Sequence, residues 1–256
     1  MAGLLMERID TVRVKAAEVL SRMNEPWRDA IGDPSLLRDA SYAFPHLMPL
    51  LHVPAYRFSL LRSLVRTIGS RSDVALRVAG QALVQWAKQA SSDEVHDVCG
   101  MLYRQASTHA RDNRTFVPVL QTVQLLLDWD VRLDVSLLTR FVRLACHHVE
   151  KVHSVPRLLA AMRICVHASQ VPGAVPDAAV YLIPFLTHRY PTVRIHTSEQ
   201  LFLLAQELSM EYDTTEIEAA LLDTPWATAP PTDLGAASTH IVHCIYDILA
   251  AKHRAP

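Results

Sequence analysis

The sequence predicts an all-α protein built from many short helices. Three observations lead to this fold class: glycine is scarce, proline is frequent, and an arginine-containing motif recurs along the chain. Only 7 of the 256 residues are glycine, and no Asn-Gly, Asp-Gly or Gly-Gly pair occurs. Tight β-hairpins therefore lack the residues that adopt positive φ. The 15 prolines suit the first turns of helices, where a missing N–H costs no hydrogen bond.

Apolar residues recur at helical spacing along most of the chain, which predicts about eleven or twelve helices. In chain order the stripes comprise Ile9, Val12, Ala16, Leu20 and Met23; Phe58, Leu61, Leu64, Val65 and Ile68; Val117, Leu120, Val123 and Leu127; Leu137, Phe141, Leu144 and Cys146; and Leu201, Leu204 and Leu208. Longer loops are expected at 24–35 and 224–233. We expect one domain over 1–256, with 224–233 as a Pro-rich break before the last helix.

Start signals are consistent with this pattern. A Ser or Thr followed three residues later by Glu predicts a capping box, and a proline predicts a first turn. The capping boxes are Ser91 with Glu94 and Thr215 with Glu218, and the prolines are Pro45, Pro54, Pro176 and Pro191. Gly32-Asp33-Pro34 predicts a break.

An internal repeat narrows the fold class. Asp10-Thr11-Val12-Arg13 is matched by Pro191-Thr192-Val193-Arg194, and Pro54 and Arg57 hold the same positions of the frame. Successive arginines lie 44 and 137 residues apart, close to one and three times a period of about 45. This period predicts a HEAT/armadillo-like helical-repeat superhelix. We expect the three arginines near the starts of inner helices, each bridging an acidic residue or a helix end; contact with a ligand is the alternative.

Charge and hydropathy exclude several classes of protein. The net charge of −1 argues against a nucleic-acid binder. The longest apolar stretch is about nine residues, too short for a membrane span, and the start does not resemble a secretory signal. Residues 195–251 contain nine acidic residues and no Lys or Arg. Arg57, Arg62, Arg66 and Arg71 instead form a positive segment, which is either an ordinary solvated surface or a partner-binding surface.

No pattern predicts catalysis, a cofactor or a metal. The glycine-rich loops that hold phosphates and the nucleophile elbow are both absent. Cys146, His147, His148 and His153, like His240, His243 and Cys244, lack fixed ligand spacing, so packing or surface roles are favoured over a zinc site. The four cysteines are expected to be buried free thiols in a reducing compartment. We therefore expect no catalytic, cofactor-binding or metal-binding residue.

Several segments together resemble a known family. They are Ala43-Phe44-Pro45; Pro54 to Phe58 with Leu60-Leu61 and Leu64-Val65; Phe185-Leu186 and His188 to Pro191; Val193-Arg194 and Ser198 to Leu201; and Leu221 to Thr224 with Trp226. Their order and spacing, together with Glu7-Arg8-Ile9-Asp10 at the start, are similar to the C-terminal domain of tubulin-specific chaperone D, also called tubulin folding cofactor D. The resemblance covers about residues 4–226.

The resemblance implies a cytoplasmic scaffold without a catalytic site of its own, associated with the microtubule cytoskeleton. Such a scaffold binds β-tubulin after the chaperonin step. With tubulin folding cofactors C and E and a small Arf-like GTPase it assembles or takes apart the αβ-tubulin heterodimer, and it co-stimulates GTP hydrolysis by tubulin. Because tubulins are acidic, Arg57, Arg62, Arg66 and Arg71 are the candidate contacts. No nucleic acid, membrane or cofactor is implied.

Two features depart from the family pattern. The family's long N-terminal repeat array has no counterpart here, so the chain is expected to be a fragment of a longer cofactor, the product of a split gene or a truncated sequence. Ala227-Thr228-Ala229-Pro230-Pro231 also replaces an expected charged helix. The alternative function is a general HEAT-repeat adaptor with an unrelated protein client, and a hydrolase or metalloenzyme ranks third.

Overall fold

The computed structural model describes residues 1–23, 25–70 and 73–254, without the side chains of residues 25–26, 73 and 175–177. These ranges contain thirteen α-helices, five 3₁₀-helices and no β-strand, which confirms the all-α, helical-repeat fold class. The α-helices are α1 (Asp10–Ser21), α2 (Glu25–Ile31), α3 (Ala40–Leu47), α4 (Pro54–Ile68), α5 (Asp73–Gln89), α6 (Ser92–Thr108), α7 (Asn113–Asp128), α8 (Val135–Ala145), α9 (Val155–Ser169), α10 (Val175–Leu186), α11 (Pro191–Leu208), α12 (Thr215–Asp223) and α13 (Gly235–Lys252). The 3₁₀-helices are Ala2–Met6, Pro34–Arg38, Met48–His52, Val149–Lys151 and Pro231–Asp233.

The chain divides into two compact units, Met1–Leu133 and Asp134–Pro256. In the first unit α4 is central and packs against α5, α6, α7 and the Ala2–Met6 turn. Phe44, Phe116 and Leu60 are fully buried there. The buried Thr67 hydroxyl donates to the carbonyl of Met6 at 2.7 Å, which fixes the first turn of the chain on α4.

In the second unit α9 packs against α8, α10 and α11, and α13 packs against α10 and α12. Phe141, Ile164 and Phe185 are fully buried in this unit. Several pairs of helices that are adjacent in sequence contact one another, such as α4 with α5 and α6 with α7 in the first unit and α9 with α10 in the second, as expected for helical hairpins joined by short connections. The prediction of a single domain over 1–256 stays a prediction.

Most of the sequence signals mark real helix boundaries, but three predictions are wrong. Residues 25–31 form α2 instead of a loop, and Gly32, with φ of 64°, ends that helix. Pro45 is the sixth residue of α3 and so lies in its last turns. The cap of α12 is Thr214, one residue before the predicted Thr215, and the Thr214 hydroxyl donates to Glu218 Oε1 at 2.7 Å.

Other start signals are confirmed. Pro54 and Pro191 are the first residues of α4 and α11. Ser91 and Glu94 form a reciprocal capping box at the start of α6. Side-chain caps also come from residues that the sequence analysis did not single out, such as Asp112 before α7 and Asp134 before α8. Each cap satisfies backbone N–H groups that a helix start leaves without partners.

The Pro-rich segment after α12 is anchored at its beginning. Trp226 is only 6% exposed, and its indole N–H donates to the carbonyl of Leu221 at 2.8 Å. A 3₁₀ turn at Pro231–Asp233 then leads into α13. Within the described residues, none of the helices combines the length and apolar character that a bilayer crossing requires.

Two glycines in the first unit give a matched test of packing. A Cβ at Gly69 would lie 2.9 Å from Cα of Pro118 and closer still to its ring, whereas a Cβ at Gly100 would meet nothing within 4 Å. We expect Gly69→Ala to lower the free energy of unfolding by about 1–3 kcal/mol because α4 and α7 must separate. Gly100→Ala, inside α6, should raise it by about 0.5–1 kcal/mol. Urea denaturation followed by circular dichroism measures both, and equal effects would contradict this account.

Candidate functional site

The three arginines of the repeat occupy equivalent places. Arg13, Arg57 and Arg194 are each the fourth residue of their helices, α1, α4 and α11. The residue before each helix is extended, with φ of −83°, −86° and −87° respectively. All three side chains are buried, at 1%, 4% and 2% exposure. The predicted equivalence is therefore confirmed, and the shared backbone conformation explains why the sequence frame is shared.

Each guanidinium binds the backbone that leads into its own helix. In every case an N–H donates to the carbonyl six residues earlier: Glu7 at 2.8 Å, Leu51 at 2.7 Å and His188 at 2.8 Å. These carbonyls lie at or just beyond the end of the preceding helical turn. Such terminal carbonyls lack partners within their helix and carry partial negative charge, so a buried cation satisfies both needs.

The other edge of each guanidinium binds a segment far along the chain. Arg13 donates to the carbonyls of Leu37 and Arg38 at 3.0 and 2.9 Å. Arg57 donates to the carboxylate of Asp97 at 3.0 Å. Arg194 donates to the carbonyls of Trp226 and Ala229 at 2.7 and 3.1 Å. We call these three arrangements the arginine clamps. The expected bridge to an acidic residue or a helix end is found at Arg57 and at Arg13, whereas Arg194 binds the non-helical segment that follows α12.

Burial has an electrostatic consequence for the clamps. It lowers the pKa of Arg13 and of Arg194, and for Arg13 the charges of Asp10 and Asp39 oppose this effect. The ordinary arginine pKa is so high that the guanidinium stays charged. Arg57, which the sequence analysis proposed as a partner contact, has its donors committed inside the molecule.

The remaining candidate arginines of α4 face outward. Arg62 and Arg66 are exposed and have no ion pair among the described residues. They follow Phe58, which is 51% exposed, at intervals of four residues, and therefore share one face of the helix. We call Phe58, Arg62 and Arg66 the α4 outer face. Arg77 on α5 is also exposed, and Arg71 lies outside the described residues.

A polar cluster joins the second clamp to the start of α6. His52 Nδ1 lies 2.6 Å from Glu94 Oε1, and the same oxygen lies 3.6 Å from the guanidinium of Arg57. Glu94 Oε2 also accepts from the Ser91 N–H at 3.1 Å. The hydrogen bond with His52, followed by the one from Ser91, lowers the pKa of Glu94 to about 2. This carboxylate is therefore ionised at all physiological pH values.

The histidines and cysteines singled out in the sequence show no metal-like grouping. Across the described part of the chain, no set of three or more His, Cys, Asp or Glu side chains is arranged to hold an ion. Cys146 and Cys165 are buried with their sulfurs 3.0 Å apart, and burial raises the pKa of Cys99 to about 12. Cys244 is only partly buried, and its neighbour His240 lies 3.0 Å from Glu216.

Residues 1–157 match the family model described as tubulin folding cofactor D C terminal. The chain belongs to this tubulin folding cofactor D family. The matched part contains the first two clamps and the α4 outer face, whereas the third clamp of this cofactor D domain, at Arg194, lies beyond it. No solved structure gives a significant match.

Loss of the third clamp should be costly. Arg194→Met leaves the carbonyls of His188, Trp226 and Ala229 without their donor. We expect it to lower the free energy of unfolding by about 3 kcal/mol. Arg194→Lys should restore only part of the lost stability, because an ammonium lacks the planar set of donors with which a guanidinium reaches both segments. Chemical denaturation monitored by circular dichroism measures these changes, with Arg163→Met on the exposed side of α9 as the control; a clamp variant as stable as the control contradicts the assignment.

Glu94 should stabilise the fold in a pH-dependent manner. Its pKa is lowered to about 2 from an ordinary value of 4.5, so the folded state stabilises the ionised carboxylate. The stabilisation is present at pH values above the ordinary pKa and is lost as pH falls through the pKa of the folded state. We expect the stability difference between the wild type and Glu94→Gln to be fully present at pH 5 and to shrink between about pH 4.5 and 2. Urea titrations at a series of pH values test this, and a difference that grows on acidification would refute it.

Proposed function

We propose that the chain is a non-enzymatic interaction module of a tubulin-folding cofactor. It binds β-tubulin and the partner cofactors C and E, and acts with a small Arf-like GTPase in the assembly and disassembly of the αβ-tubulin heterodimer after the chaperonin step. The observation that supports this most directly is the family match over residues 1–157. The proposed setting is the cytoplasm, in association with the microtubule cytoskeleton.

The α4 outer face is the proposed contact with tubulin. Two arginines that have no ion pair within the described residues lie with a half-exposed aromatic ring along one side of this helix. An apolar anchor next to cations suits an acidic protein surface, since the aromatic ring contributes buried area and the charges guide encounter. The buried Arg57 is not part of this contact; its proposed role is to hold the start of α4 in position.

The proposed mechanism is differential binding. A scaffold that binds one tubulin conformation more tightly than another shifts tubulin toward that conformation. Co-stimulation of GTP hydrolysis would follow from such a shift, with tubulin supplying the nucleotide site. The sequence itself offers no glycine-rich loop with a Lys-Ser/Thr pair to hold a triphosphate.

Charge reversal on the α4 outer face tests the proposal. We expect Arg62→Glu combined with Arg66→Glu to reduce retention of purified αβ-tubulin by about fivefold at 50 mM salt and by less than about twofold at 300 mM salt. The measurement is capture of tubulin on the immobilised chain, with the fold checked by circular dichroism.

The control carries the same change of charge elsewhere. Arg104 on α6 and Arg163 on α9 are both exposed, so Arg104→Glu combined with Arg163→Glu should retain tubulin nearly as well as the wild type. Equal losses in both double variants would remove the α4 outer face from the proposal. Failure of the wild-type chain to retain tubulin would favour the alternative, a helical-repeat adaptor for an unrelated client.

A further inference from the structure

Helix α11 has apolar side chains on two sides, although only one of them packs into the second unit. Leu201, Leu204, Ala205 and Leu208 are buried against the rest of the unit. Leu203 points the other way and is 52% exposed, with the half-buried Phe202 beside it. A helix that packs on one side normally carries polar residues on the other. Leu203 is therefore an outward apolar residue without a packing role in this unit, and the half-buried Phe202 borders it.

Two carboxylates frame these apolar residues. Glu199 and Glu207 are exposed and lie four residues before and after Leu203, so they share its face at about 6 Å to either side. Glu199 accepts a hydrogen bond from His196 at 2.9 Å. Glu207 has no cationic partner within the described residues. We call Glu199, Phe202, Leu203 and Glu207 the α11 outer face.

The stretch of sequence that contains this face is also acidic. From Ile195 to Ala251 the sequence has nine acidic residues and no Lys or Arg, and the next cation, Lys252, lies 3.6 Å from Glu211. An apolar centre with a charged rim is the usual anatomy of a protein interface. Because the rim carries one sign only, a complementary partner must be basic.

We propose that the α11 outer face docks a basic amphipathic helix of a partner protein. One apolar side chain of that helix packs on Phe202 and Leu203, and a Lys or Arg one turn to each side pairs with Glu199 and Glu207. An extended segment fits less well, since a helix surface offers no backbone partners for its N–H and C=O groups. This surface lies beyond residues 1–157 and has the opposite charge to the α4 outer face, so the proposal stands independently of tubulin binding.

A second copy of the chain is the competing occupant. The α4 outer face is basic and also carries an exposed apolar residue, Phe58. The α11 outer face requires a cation on each side of an apolar residue. On the α4 outer face, Phe58 lies at one end and both arginines follow it. A cation on each side of the apolar residue is the better match, which favours a foreign helix.

Binding of a synthetic peptide tests the proposal. The probe is a fluorescent 17-residue helical peptide of Ala and Gln with a central Leu and a Lys four residues to each side; its comparison peptide has Glu in place of both Lys. This probe is symmetric and can dock in either direction. With the full chain, fluorescence anisotropy should show binding of the Lys peptide at least about tenfold tighter at 20 mM salt, with a smaller ratio at 200 mM.

Variants separate a specific surface from general attraction to an acidic protein. Glu199→Lys with Glu207→Lys should reverse the peptide preference, whereas Asp233→Lys with Asp247→Lys should change it by less than about twofold. Leu203→Ser, which leaves the charge unchanged, should weaken Lys-peptide binding at least about threefold, while Leu36→Ser, at the 48% exposed Leu36, should not. All of these positions are exposed, so the fold is expected to persist, and circular dichroism checks it.

Three results would overturn the proposal. One is equal loss of binding in the two charge-reversal pairs, which would mean attraction by net charge alone. Another is unchanged binding by Leu203→Ser, which would remove the apolar contact. The third is self-association of the wild type at low salt, measured by sedimentation, that Glu199→Lys with Glu207→Lys abolishes; a second copy would then be the occupant.

Discussion

Buried arginine charges are the constraint on which much of this structure depends. A guanidinium with 1–4% exposure is tolerable only if its N–H groups find acceptors. Each clamp meets this requirement with the end of one helical turn and a segment 24–40 residues further along the chain. The clamp thereby links the start of a helix to the turn before it and to a segment far along the chain. Removing either set of acceptors would leave an uncompensated charge in the interior.

The sequence was informative where the physics is local. A proline at a helix start, a Ser–Glu capping box and an arginine at a fixed offset all act within a few residues, and the structure places Pro54, Ser91 and the three arginines as these rules predict. The same rules failed at two other helix starts. Thr214, and not Thr215, precedes α12, and its hydroxyl bonds the Glu218 side chain instead of a backbone N–H. Helix α2 forms in a stretch whose proline and glycine suggested a loop.

The candidate site was harder to predict because exposure is a tertiary property. Arg57 and Arg62 are both arginines of one helix in a positive segment, and their spacing alone does not say which one points inward. Only the repeat frame separates them, since it groups Arg57 with Arg13 and Arg194. Leu203 was easier to place, because it falls outside the apolar stripe of Leu201, Leu204 and Leu208, and it lies on the solvent side of α11.

The nature of the clamp acceptors has a consequence for how this fold can change over evolutionary time. Arg13 and Arg194 bind backbone carbonyls, which every amino acid supplies, so the side chains at positions 38 and 229 can vary without loss of the contact. Arg57 differs, because it depends on the side chain of Asp97. A substitution at a position that supplies only a carbonyl leaves the clamp unchanged. A substitution of Asp97 removes a clamp acceptor and must be matched by a compensating change. A repeat of this type can therefore keep its architecture long after its sequences have ceased to look alike.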